Sequence, residues 1–306
     1  MLTSISTGSI PLAGEIAAIA AAFLWALSSV LFKKLGDTIP PIEMNLLKGV
    51  LAIFLFLGTT LILKEHTPSL SLLPVGMLAV SGAIGIGFGD TMYFEALNTL
   101  GPRRTLLITI LAPVITAVLA WGFLAESLNW IGWLGILVTI AGVAWVITEQ
   151  RNVGNHDRRM AWKGIIYGFL AALSQAIGAV ISRWVLTGTG TSALQSALIR
   201  LVAGVVFLLI WIGAKRIKIG QWIKPASTPK LWGTVAVVVI IGTYLAIWLQ
   251  QVAFQFTRVG IAQTLLATSP LFVLPISAMQ GEKLSPRSIL GVLVAIAGIG
   301  LMFLIH

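Results

Sequence analysis

Three charged side chains, Lys48, Asp90 and Arg200, stand inside apolar stretches that otherwise carry almost no charge. A charge near the centre of a bilayer costs about 2.5–3.5 kcal/mol on insertion scales, so such residues face a cavity or a partner. Lys48 lies nine residues into the second apolar stretch, and Asp90 about eight residues before the end of the third. At 1.5 Å per residue both fall roughly 12–14 Å below the same surface, so the two can meet. Arg200 lies nine residues into the seventh stretch, and the residue at matching depth in the eighth is the neutral Gln250. An ammonium, a carboxylate and a guanidinium at these depths suit substrate recognition or proton coupling, and Lys48 with Asp90 equally suits a structural ion pair. An arginine with no acidic partner attracts a carboxylate or phosphate, or else snorkels towards lipid head groups. Glu95, closer to the end of its stretch, reaches the rim near Arg103 and Arg104.

Covalent and metal chemistry find no residues. The chain has no cysteine, which removes thiolate nucleophiles and Cys metal ligands. Its three histidines, His66, His156 and His306, fall in loops or at the end of the chain. No metal site and no cofactor are expected. The glycines at 82, 85, 87 and 89 have no strand or soluble βαβ unit around them, so they are not a dinucleotide fingerprint. Gly82, Gly85 and Gly89 share a helix face that suits close packing. No GxxxxGK sequence supports ATP-driven work.

The polar residues of a binding wall come next. Tyr244, Trp248, Gln251 and Gln255 stand at i, i+4, i+7 and i+11, one face of a helix. Aromatic rings with amides fit a mostly apolar pocket, and they equally fit hydrogen-bonded packing between helices. Trp25 with Ser28 and Ser29, and Gln175 with Ser174, occupy corresponding depths. Pro113 and Pro270 stand in mid-stretch, where a proline removes a hydrogen bond and kinks the helix.

The elements that hold these residues are membrane spans. Of 306 residues 58% are hydrophobic and 10% charged, against about 25% charged in soluble domains; the mean hydropathy is +0.98. Stretches long enough for the roughly 20 residues of a spanning helix fall at 14–35, 39–63, 72–97, 103–125, 131–148, 161–186, 191–213, 231–256, 259–280 and 286–305. The expected fold is an all-α polytopic membrane protein of ten transmembrane helices. No secretory signal peptide precedes the first span. The net charge of +10 does not mark a nucleic-acid binder: fifteen Lys and Arg lie in odd-numbered loops, two in even loops or tails, and three in spans. The basic loops belong on the cytoplasmic side, beside acidic lipids, which places both termini outside the cell membrane.

The spans repeat. "LGILVTIAGV" (134–143) and "LGVLVAIAGI" (290–299) share seven of ten residues. "ILAPVITAVLAWGFLAESL" (110–128) resembles "ATSPLFVLPISAMQGEKL" (267–284), aligning Pro113 with Pro270 and Glu126 with Glu282. Lys48 aligns with Arg200. Five spans per half force the second half to run inverted, the architecture of secondary transporters with a site near the midplane.

These prolines, "ESL" and "GEKL", the two Gly-rich final spans and "YFEALNTLG" before the fourth span together resemble the EamA family of the drug/metabolite transporter superfamily. Two EamA-like five-helix repeats would occupy 14–148 and 161–305. The resemblance implies a bundle around a central cavity and small metabolites such as amino acids as substrates, often exported. Two features depart from it: typical members keep both termini in the cytoplasm, and Asp90 aligns with Ile247 rather than with an acid. The expected function is a non-enzymatic secondary transporter working by alternating access. A carrier of anionic phosphorylated or nucleotide-linked metabolites is the alternative, because two interior cations face one interior acid; a lipid scramblase or membrane scaffold is the rival from another class. Expected partners are a small-molecule substrate and membrane lipids, with no nucleic acid; the Gly-rich fifth and tenth spans suit either packing within the bundle or a contact with a second copy.

Overall fold

The computed structural model describes residues 12–64, 71–124, 130–148, 155–223, 228–257, 259–279 and 285–303, and they are helical throughout their regular elements. The first half holds α1 (Ala13–Gly36), α2 (Pro41–Leu63), α3 (Leu72–Leu100), α4 (Pro102–Thr109 and Leu111–Leu124) and α5 (Trp130–Thr148). The second holds α6 (Asn155–Gly188), α7 (Ala193–Ala214), α8 (Pro229–Phe256), α9 (Val259–Leu266 and Ser269–Met279) and α10 (Pro286–Phe303). Local sequence sets many of the ends. Proline opens α2, α4 and α8, where its missing N–H is no loss. A reciprocal capping box of Ser192 and Gln195 opens α7. Between α3 and α4 the backbone turns at Gly101 with φ +79°, a conformation that side chains with a Cβ seldom adopt.

Among the described residues six helices are long and apolar enough to cross a membrane: α1, α2, α3, α7, α8 and the stretch Met160–Gly188 of α6. The protein is thus a multi-pass membrane protein. Arg104–Leu119, Trp130–Gly142, Val259–Val273 and Ile289–Gly298 are further apolar helical stretches among the described residues. Two of these lie in helices that break. In α4 the break falls at Ile110, and Pro113 sits in the first turn of the second piece; in α9 it falls at Ala267–Thr268, with Pro270 in the next first turn. The helix therefore interrupts just ahead of each proline instead of bending at it. Pro270 cannot bond the Leu266 carbonyl four residues back, and Ser269 Oγ donates to that oxygen at 2.7 Å instead. Glu126 and Glu282, part of the motifs that carry the family resemblance, lie outside the described residues.

The halves also match in a way no composition reveals. Both α3 and α8 contain a seven-residue π-helical segment, Ala83–Gly89 and Val239–Leu245, at the same point of each half. π segments are rare and favour functional sites. The halves exchange partners: α2 packs on the π segment of α8, α7 on that of α3, α1 on the last turns of α8 and α6 on the last turns of α3. The main core accordingly mixes both halves, with Phe56, Leu97, Leu194 and Leu201 fully buried. The final helices α5 and α10 pack on each other reciprocally. A Cβ at Gly142 would come within 2.6 Å of the Ala295 nitrogen, and one at Gly298 within 2.5 Å of the Thr139 nitrogen. In the described chain the two Gly-rich helices thus use these glycines against each other.

Candidate functional site

Where the halves meet, a cavity of about 970 Å³, its mouth included, is lined from α1–α4 and α6–α9. Its wall is mostly apolar, and among the described lining residues the charged ones are Lys48, Asp90 and Arg200. This is the composition of a small-molecule site: apolar surface with a few convergent polar groups.

Lys48 and Asp90 meet. Lys48 Nζ donates to Asp90 Oδ2 at 2.5 Å and lies 5.6 Å from the centroid of the Phe94 ring, within range of a cation–π contact. The lysine side chain is 4% exposed and the aspartate 29%, so the pair is closed on the lysine side and open to the cavity through the carboxylate. Asp90 opens the helical turn that follows the π segment of α3. That segment is held by Asn45 on α2, whose amide nitrogen donates to the carbonyls of Ile86 (2.7 Å) and Gly87 (3.0 Å) and to Thr91 Oγ1 (2.9 Å). Two hydrogen bonds thus hold the backbone just before the acid, and a third holds the side chain just after it. Sequence reading missed Asn45, although a lone amide one turn ahead of Lys48 was a visible signal.

Arg200 on α7 is 4% exposed, and its Nε and Nη1 have no hydrogen-bond partner. Its Nη2 lies in a slot kept open by glycines: a Cβ at Gly85 or Gly178 would stand 3.2 Å from it. Gln250 lines the same cavity.

Trp25, Gln175 and Pro113 also line the cavity, whereas Tyr244, Trp248, Gln251 and Pro270 are not among its lining residues. The α8 stripe is turned into helix packing. Tyr244 shares a 2.6 Å hydrogen bond with Thr59 and packs on Phe56 of α2; the Trp248 ring lies against Tyr244; Gln251 Oε1 accepts from Ser196 of α7 at 2.8 Å. The face one residue earlier, Thr243, Ile247 and Gln250, takes the cavity side. The polar stripe marks the α2–α8–α7 contact because hydrogen bonds between helices need amides and hydroxyls as much as a substrate does. Two further lining residues escaped the sequence, Thr243 and Gln263, each with a buried polar atom that has no partner. Glu95 is partly buried, away from the lining. No group of three or more His, Cys, Asp and Glu able to hold a metal occurs among the described residues.

Comparison with known proteins adds the family. The model of the EamA-like transporter family matches residues 12–148 and again 162–304. An uncharacterized transporter of Bacillus subtilis (strain 168), YvbV, is 26% identical over 208 residues, covering 67% of this chain and 62% of that protein. The match thus spans less than two thirds of the relative's length. A crystal structure of another protein superimposes with a TM-score of 0.70 over 95% of this chain and 96% of that one. At 16% identity that likeness bears on the fold alone.

Proposed function

Because the chain belongs to the EamA-like transporter family, and is a membrane transporter of the drug/metabolite type, we propose that it is a secondary exporter of small polar metabolites such as amino acids. In this reading all ten helices cross the bilayer and the five-helix halves are inverted. They rock about the midplane so that the cavity faces each side in turn. The observation that supports this most is the cavity itself: both halves line it, and it holds a buried Lys48–Asp90 pair whose carboxylate opens onto it. That pair would bind substrate or carry the coupling proton. The breaks in α4 and α9 and the two π segments border the same space, giving the moving parts places to bend. The basic odd-numbered loops orient both termini outward.

Solid-supported-membrane electrophysiology on proteoliposomes tests the carrier reading. Wild type and Asp90→Asn are challenged with amino-acid and organic-anion pools, with and without a pH gradient. Wild-type currents that vanish in Asp90→Asn support it. Currents unchanged in the variant would remove Asp90 from the cycle. Orientation has its own test, since the chain lacks cysteine. Lys218→Cys and Gly190→Cys, both at exposed positions, should label from opposite sides, with Gly190→Cys reached from outside the cell.

A second reading, a carrier of anionic metabolites, is favoured by one observation: the lining carries two cations, Lys48 and Arg200, against one acid. Competition by organic anions that is lost in Arg200→Gln would support it.

A further inference from the structure

We propose that Arg200 forms a subsite for the anionic oxoacid head of the cargo, a carboxylate or a phosphate, with Gln263 as a further donor lining the same cavity. The inference deepens the carrier reading and rests on it only for the word cargo. Arg200 is the residue of α7 that reaches the cavity, and it arrives buried with two nitrogens unbonded. A buried donor without an acceptor loses its hydration and gains nothing in return, and a guanidinium stays charged there. Such an arrangement persists where a ligand supplies the missing acceptor.

The resident groups do not supply it. Asp90 lines the same cavity, but its Oδ2 is bonded to Lys48. One carboxylate facing two cations leaves one positive charge on the described lining. Arg183, by contrast, is fully employed, donating to the carbonyls of Phe254 (2.5 Å) and Gln255 (3.1 Å) at the end of α8.

A second group of the cavity wall favours an acceptor as well. Gln263 is 1% exposed, lines the cavity and has an amide nitrogen with no partner. Its free group is a donor, like those of Arg200. The slot between Gly85 and Gly178 fixes one corner of the guanidinium, so Nη2 with either Nε or Nη1 presents a planar two-pronged edge. Two parallel N–H groups match the two oxygens of a carboxylate or of one face of a phosphate. Both groups come from the second half of the chain, opposite the Lys48–Asp90 pair of the first.

The test uses the purified full chain in lipid nanodiscs, titrated with sodium acetate or inorganic phosphate at ionic strength held constant with chloride. Thermal unfolding is followed by tryptophan fluorescence. In wild type, one or both anions should raise the midpoint along a saturating curve above the chloride baseline. Acetate alone would assign a carboxylate head, phosphate alone a phosphoryl head. Arg200→Gln should weaken half-saturation at least tenfold, and Gln263→Leu should weaken it severalfold. If Arg200→Gln yields no folded protein, Arg200→Lys replaces it: the charge stays, the two-pronged edge is lost, and the same weakening is required. A wild-type curve no different from chloride, or titrations that coincide in wild type and the Arg200 variant, would overturn the subsite. Saturation in a protein that moves no substrate across the proteoliposome membrane would keep the subsite and sink the exporter reading. Transport indifferent to Arg200 would do the opposite.

Discussion

Lys48 and Arg200 hold the same position in the two halves of the chain, and their surroundings are opposites. Lys48 is paired with an acid on the next helix and packed under an aromatic ring. Arg200 is equally buried and has two nitrogens bonded to nothing. The backbone repeats far more faithfully than the chemistry: π segments, breaks before the prolines and exchanged helix contacts recur, while the acid at position 90 has only an apolar residue, Ile247, opposite it. One scaffold occurs twice, and a few side chains make the cavity asymmetric. Erasing those differences one at a time shows which of them the fold depends on and which serve the cavity.

The largest effect is expected at Gly82. Its counterpart just before the other π segment is Val238, fully buried. A Cβ at Gly82 would land on the backbone of Arg200, which cannot swing aside as a side chain can. Gly82→Val should therefore separate α3 from α7 and leave no monodisperse peak in size-exclusion chromatography. A variant that purifies like wild type would show that the α3–α7 contact is looser than it stands here.

Next come the two charges. Asp90→Ala leaves Lys48 buried without its carboxylate, which costs about 3–5 kcal/mol for a fully enclosed pair. The lower end applies, because the Asp90 side chain is 29% exposed. Arg200→Met removes a charge that nothing balances, and a well-packed apolar replacement of a buried ion is often neutral or stabilising. Thermal unfolding in detergent should therefore fall clearly for Asp90→Ala and hold or rise for Arg200→Met. Equal losses would mean that Arg200 has a partner in the folded protein.

A smaller step separates Asn45 from its counterpart Ala197. Asn45→Ala takes the donors from the Ile86 and Gly87 carbonyls. The Gly87 carbonyl still accepts from Thr91 Oγ1 at 2.7 Å, so one acceptor, Ile86, loses its side-chain donor, at a cost of about 1–3 kcal/mol. Chemical denaturation should show that loss, and the currents should shrink because Asp90 no longer stands on a fixed turn. A variant of normal stability and transport would reduce Asn45 to a passive filler.

How much of this could be read beforehand depends on what sets each feature. The meeting of Lys48 and Asp90 follows from a constant rise per residue and two neighbouring helices, so counting residues found it. The repeat was legible because prolines and glycines carry backbone information in their identity, and the Gly142–Gly298 packing of α5 on α10 grew from the same signal. The π segments were not legible, because "AIGIGFG" and "VIIGTYL" share little sequence and differ from α-helix only in which carbonyl each N–H chooses. The cavity face of α8 was misplaced because apolar-to-polar contrast, the sequence's main cue, vanishes inside a membrane bundle. There Gln251 serves Ser196 and Tyr244 serves Thr59, while Thr243 and Ile247 face the cavity without announcing it. Gln263 and Asn45 were single amides in apolar runs, visible but given no weight.

The smallest expected effect tests that misplaced face directly. Tyr244 and Thr243 are adjacent, and the structure assigns them to different tasks. Tyr244→Phe removes one hydroxyl from a partly buried hydrogen bond to Thr59 and keeps the ring on Phe56. The net value of such a bond is about 0.5–1.5 kcal/mol, so the unfolding midpoint should drop slightly, with transport kinetics unchanged. Thr243→Val is nearly the same size and removes a hydroxyl that bonds nothing and lines the cavity. It should leave stability level or improved while altering the apparent affinity for cargo in the proteoliposome assay. If the two results came out reversed, with Tyr244→Phe changing affinity and Thr243→Val only stability, the cavity would lie against the aromatic stripe. The polar face of α8 would then have been the better guide to the site.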